Sequence, residues 1–198
     1  MQYFKTLPKV IQVKNQVATV LTNLMNRADV IPSLLTNPLI FYKYDIQDGD
    51  TPETVAYKYY GDSYRYWILL YSNQIMNPLW DWPLNSNDFN KYIDDKYQEF
   101  NPYSTVYQYQ KIITQVDLNT NTTTINTVVI DEPTYNGLTQ SQNTYTLPTG
   151  PVSVTITKNT VSYYQYELNL NESKRSINIL NKNYAGQLEK EFKSLMSQ

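Results

Sequence analysis

Residues 42–83, YKYDIQDGDTPETVAYKYYGDSYRYWILLYSNQIMNPLWDWP, form the stretch whose reading decides the fold. Residues 39–46, with Phe41, Tyr42, Tyr44 and Ile46, favour a strand. Gly49 and Asp50 make a turn. Thr51 is an N-cap, Pro52 suits the first helical position because it has no N–H to leave unpaired, and Glu53 complements the helix dipole. Val55, Ala56 and Tyr59 face inward, and Gly61 ends the helix in the left-handed conformation. Asp62 or Ser63 caps a second helix with Tyr64, Trp67, Ile68 and Tyr71 on its inner face, three and four residues apart. Asn77 and Pro78 end it, and residues 79–83 read as an aromatic loop.

Working outward, residues 1–14 have no clear period, and Pro8 discourages a helix. Val17, Val20, Leu21, Leu24 and Met25 fall at helical spacing, which predicts a short amphipathic helix over residues 15–27. Pro32 and Pro38 then impose extended chain. Ser86 opens a third helix through Tyr97, with Phe89 and Ile93 on one side. Residues 101–170 lose charge and fill with Thr, Asn, Gln, Val and Tyr. Strands are expected at 103–116, 122–130, 152–158 and 161–170, the last two as a hairpin turning at Lys158 and Asn159. Residues 176–180 read as a short strand or an extended linker. Residues 183–196 form a helix with Tyr184, Leu188, Phe192 and Leu195 along one side, docking on its own domain or on a partner.

The chain has 198 residues, a formal net charge of −2, and neither cysteine nor histidine. Disulfides, thiolate nucleophiles, imidazole bases and the usual zinc ligands are excluded together. Basic residues are scattered, so no field for nucleic acid is expected, and no apolar run reaches membrane-spanning length. The first twenty-one residues lack an apolar core with a small-residue cleavage site, so a cytoplasmic origin is expected. Twenty tyrosines against five glycines suit either a tyrosine-rich core or protein interfaces. Carboxylate catalysis is open to any chain with Asp and Glu. Here Asp48, Asp50 and Glu53 sit on a turn and a first helical turn, where acids are expected anyway. No enzyme activity, cofactor, metal or small-molecule substrate is expected.

YDIQDGDTPETVAYKYYGD, followed by Trp67, Leu70 and Asn73, resembles a LysM module. The usual closing strand after the second helix is replaced here by NPLWDWPLN. The run YGDSYRYWILLYSNQIMNPLWDWPLN is similar to the small baseplate wedge proteins of T-even-type contractile-tailed phages, the gene fifty-three product type, which embed a LysM-like domain. NESKRSINILNKNYAGQLEKEFKSLM resembles their C-terminal region. The expected fold class is α+β: a small LysM-like βαα(β) core with an N-terminal helical arm, a β-rich insertion and a C-terminal helix. Its segments are 1–38 (arm), 39–100 (LysM-like domain with trailing helix), 101–170 (insertion) and 171–198.

The resemblance implies a structural subunit of the virion baseplate. Such a subunit would assemble in the host cytoplasm, contact other wedge subunits and the hub, and join wedges into a ring. Candidate protein-contact residues are Tyr64, Trp80, Trp82, Leu188, Phe192 and Leu195. Trp80 and Trp82 present a contact surface, or one of them serves as a lid over the small core. Trp67 reads as core. Gly49, Asp50 and Thr51 occupy the loop that LysM modules use for N-acetylated glycans. Helix capping accounts for the same residues, and a peptidoglycan- or chitin-binding module is the alternative function.

Overall fold

A computed structural model describes residues 3–25 and 39–197. The fold is α+β. Its elements run α1 (Tyr3–Thr6), β1 (Lys9–Lys14), β2 (Val17–Thr22), β3 (Phe41–Asp45), α2 (Pro52–Tyr60), α3 (Tyr66–Ser72), α4 (Pro78–Asp81) and α5 (Ser86–Lys96). Then follow β4 (Val106–Asp117), β5 (Thr123–Ile130), α6 (Glu132–Gly137), β6 (Ser141–Leu147), β7 (Gly150–Ser162), α7 (Tyr163–Ser173), β8 (Ser176–Leu180) and α8 (Lys182–Met196). Two compact units result: Met1–Phe89 with Asn171–Gln198, and Asn90–Leu170.

The first unit is built on α2 and α3. Thr51 is extended at φ −100°, and its hydroxyl accepts the Thr54 N–H at 3.2 Å while Thr54 Oγ1 accepts the Thr51 N–H at 2.8 Å. This reciprocal cap satisfies two backbone donors that a helix start otherwise leaves open. Gly61, at φ 74°, ends α2 and donates its N–H to the Tyr57 carbonyl, a conformation that costs a side-chain-bearing residue energy. A 3₁₀ turn at Ser63–Arg65, capped by Asp62, leads into α3.

The strand alternative at 176–180 is the observed one. β8 pairs antiparallel with β3, Phe41 opposite Leu180 and Tyr44 opposite Ile177. Successive side chains point to opposite faces of a strand, so this two-stranded sheet serves two apolar clusters. One holds Leu7, Phe41, Trp67, Ile68, Leu180, Ala185, Phe192 and Met196. The other holds Ile46, Val55, Ala56, Leu69, Trp82, Ile177 and Ile179. α3 feeds both, Trp67 and Ile68 into the first and Leu69 into the second. Asparagine side chains extend the backbone pairing. Asn73 donates to the Leu69 and Asn178 carbonyls and accepts the Asn178 N–H. Asn171 grips both backbone groups of Leu84 in the same way.

Four sequence expectations are corrected. The helix over 15–27 is absent from its described part: Val17–Thr22 pairs with Lys9–Lys14 as a hairpin. The apolar spacing fitted a helix, but Val17, Thr19, Val20 and Thr22 are β-branched and lose rotamer freedom there. Residues 26 and 27, and the extended chain expected at Pro32 and Pro38, lie outside the described residues. Residues 152–170 are not a hairpin. β7 runs straight through Lys158 and Asn159, paired with β4, and Tyr163 begins a helix. The turn lies earlier, where Leu147 faces Gly150. Residues 79–83 are not all loop either, since Asn77 caps the one-turn helix α4. Finally, the expected seam of α8 is shifted: Ala185, Phe192 and Met196 pack on its own unit, one of the two dockings expected, with Leu188 half-buried and Tyr184 and Leu195 outside.

The second unit is a four-stranded antiparallel sheet in the order β5-β4-β7-β6. Aromatic rings gather within it, Tyr107 stacking on Tyr166 at 4.0 Å and Phe100 meeting Tyr163 at 4.9 Å. The buried Glu167 accepts from Lys96 (2.7 Å), Tyr97 (2.7 Å) and Tyr92 (3.2 Å). Burial alone pulls its carboxyl upward, but the Lys96 and Tyr97 hydrogen bonds outweigh it and hold the pKa below the ordinary value. Burial and the carboxylate push the Tyr97 hydroxyl up to about 12.

A depressed folded-state pKa contributes stability above the unfolded value, about 4.3 for Glu, and that contribution is lost as pH falls through the folded value. Glu167→Gln is therefore expected to cost about 1.5–3 kcal/mol at pH 7, the worth of charge-assisted hydrogen bonds. The difference from wild type should be smaller at pH 3 than at pH 7, because the contribution is lost as the carboxylate becomes protonated. Urea melts at both pH values check this, and a gap that is equal at both would contradict it.

Candidate interaction site

The turn between β3 and α2 concentrates polar groups, and each has a partner inside the fold. The Asp50 carboxylate is buried; it accepts from the Tyr44 hydroxyl at 2.8 Å, the Gln47 N–H at 3.2 Å and the Lys58 ammonium. Burial raises its pKa, but the hydrogen bonds from Lys58 and Tyr44 prevail and the net position is low. Burial and then Asp50 push Tyr44 up to about 12. Thr51 is engaged in the α2 cap, and the Asp50 carbonyl accepts the Trp82 indole N–H at 2.8 Å. Gly49 supplies φ 82° to the turn. Asp48 accepts the backbone N–H and hydroxyl of Ser86, at the start of α5. Among the described residues, no three carboxylates gather as metal ligands. Glu53 is exposed in the first turn of α2, where it complements the dipole.

The aromatic candidates separate cleanly. Trp82 is 7% exposed and sits in the second cluster, sealing it as a lid; it is not a contact surface. Phe192 is 3% exposed, packed 5.0 Å from Trp67 and 5.2 Å from Tyr3, and is likewise internal. Leu188 is half-buried against the same cluster. Tyr64 and Leu195 are exposed, but on different elements. Trp80 is 66% exposed on the one-turn helix α4, beside Leu79 at 81% and near Met76 at 67% in sequence. Lys174 donates to the Trp80 carbonyl at 2.6 Å and ties this segment to the chain ahead of β8. A shallow recess bordered by Asn73, Ile75, Asp81, Lys174 and Ile177 adjoins it.

Sequence reasoning singled out Trp80 but missed Met76 and Leu79. Their signal was available: two large apolar side chains flanking the helix-starting Asn77 and Pro78, where little chain is left to cover them.

What this surface offers outward is apolar and aromatic, the chemistry of protein–protein contact, and its acids serve the fold. Residues 7–194 match the family model of base plate wedge protein 53. The chain belongs to that family, whose members are structural components of the phage baseplate. No curated protein matches it.

Proposed function

We propose that this chain is a structural subunit of a baseplate wedge that joins wedge subunits into a ring around the central hub. The observation that carries the reading is the exposed Trp80 with Leu79 and Met76, in a fold whose conspicuous polar groups are engaged internally. The order β3, α2, α3, then β8 supports a LysM-like core that works as a protein-binding block. Its closing strand is delivered by β8, after the second unit. Mechanism here is assembly. Each contact is modest alone, and repetition around a closed ring raises the effective concentration of the next contact.

The alternative, a peptidoglycan- or chitin-binding module, gains no support from the turn. Asp50 is held by Tyr44 and Lys58, and Thr51 by Thr54, so neither is free to recognise a sugar without breaking the fold's own bonds.

Tryptophan truncation at an interface hot spot costs about 2 kcal/mol or more. Trp80→Ala is therefore expected to weaken binding to a purified baseplate subunit of the same phage by about 30-fold or more, with the unfolding midpoint unchanged. Calorimetric titration tests this. Equal affinity for wild type and variant would remove Trp80 from the interface.

A further inference from the structure

We propose that the β1–β2 hairpin is a docking finger whose apolar face seats on a different baseplate subunit, in an apolar surface rimmed by carboxylates. The proposal rests on the structural-subunit reading and names the surface and the chemistry of one of its partners.

Register assigns the two faces. Ile11 stands opposite Val20 and Val13 opposite Ala18, on one side of the ribbon. The other side carries Gln12 opposite Thr19 and Lys14 opposite Val17, with Val10 opposite Leu21 toward the base. Both faces are open, but this one exposes the most apolar surface: Ile11, Val13 and Val20 are 67%, 68% and 65% exposed, against Val17, Val10 and Leu21 at 64%, 47% and 44% on the other. A two-stranded ribbon is marginal in water, and β-branched residues on an open face gain most when another surface covers them. The ribbon is nonetheless built to one register. Asn15 and Gln16, at φ 50° and 62°, give the tight left-handed turn that matches strand twist. Gln16 adopts that conformation without being glycine, which costs energy. A fixed, partly strained ribbon with an open apolar face is preorganised for a partner.

Charge selects the partner. Residues 1–25 carry Lys5, Lys9 and Lys14 and no Asp or Glu, in a chain of net charge −2. Lys9 shares the apolar face and donates to Thr22 Oγ1 at 2.6 Å, which sets a cation at the base of that face. Lys14 stands at the turn end of β1. An apolar patch with one cation on its own face at the base and a second at the turn on the opposite face, in a segment without acids, complements an apolar surface with an acidic rim. The chain's own exposed tryptophan surface carries Lys174 and Asp81 together at its edge, so its charge is balanced and it offers no acidic rim to the hairpin of a second copy. The hairpin also lies inside the span that matches the family, 7–194.

The test titrates the full chain against each purified baseplate protein of the same phage. Two variants are compared with wild type. Ile11→Thr with Val13→Thr keeps the β-branching and removes the apolar face; Lys9→Gln with Lys14→Gln removes the cations. The threonine pair should keep the wild-type unfolding midpoint and bind one subunit at least tenfold more weakly. The glutamine pair should lose most of the salt dependence of that affinity between about 50 and 300 mM NaCl. Wild-type affinity in the threonine pair overturns the hairpin proposal and leaves the structural-subunit reading standing. Failure of the wild-type chain to bind any baseplate protein removes that reading and the hairpin proposal together. Self-association of the chain that the threonine pair abolishes would overturn the choice of partner.

Discussion

Ending the chain after Lys174 is expected to leave the first unit without a stable fold. The deletion removes β8 and α8, and with them Ile177, Ile179, Leu180, Ala185, Phe192 and Met196 from the two clusters. Each fully buried large apolar side chain contributes about 1.5–3 kcal/mol, and a whole domain is stable by only about 5–15 kcal/mol. β3 would also lose its only strand partner among the described residues, and Asn73 the backbone groups of Asn178. Near-ultraviolet circular dichroism and limited proteolysis read the result. Loss of the Trp67 and Trp82 signals, with rapid cleavage between residues 41 and 82, is expected. A truncated chain that keeps the wild-type spectrum and protease resistance would contradict the two-cluster account.

Trp82→Ala carries the second large effect. Deleting a buried indole removes its transfer free energy and leaves a cavity, together about 3–5 kcal/mol. The Asp50 carbonyl also loses the indole N–H. Trp82→Phe should fall between wild type and alanine, because the ring fills part of the space and the hydrogen bond is gone. Trp80→Ala, two residues away, should stay within about 0.5 kcal/mol of wild type, as exposed substitutions do. Urea denaturation of the three variants checks the ordering. Comparable losses at Trp80 and Trp82 would mean that the lid assignment is wrong.

The parts of the fold legible in the sequence are those fixed by neighbours in the chain. Thr51, Pro52 and Gly61 delimit α2 because capping and left-handed turns need particular residues at particular positions. Trp67 and Ile68 are recognisable as core because a helix repeats its inner face every three to four residues. The closing strand was harder. Ser176–Leu180 looks like strand or linker until Phe41–Asp45 is known to be its partner, and nothing local records that pairing.

The candidate site shows the same division. One helical turn sets Trp80 outward, while the extended residue after it carries Trp82 inward, a distinction that aromatic content alone does not encode. The seam of α8 was misread because Ala185, too small to mark a face, packs inward while Leu195 points away. The N-terminal hairpin was misread because its apolar residues satisfy the helical period by coincidence. Their β-branching and the pairing of β1 with β2 decide for strand.

The most direct measurement offers the purified full-length chain to baseplate proteins of the same phage in the presence of excess murein oligosaccharide. Binding to at least one protein that survives the competitor and is lost in Trp80→Ala is the expected result. Capture by murein, with no baseplate protein retained by the wild-type chain, would contradict it.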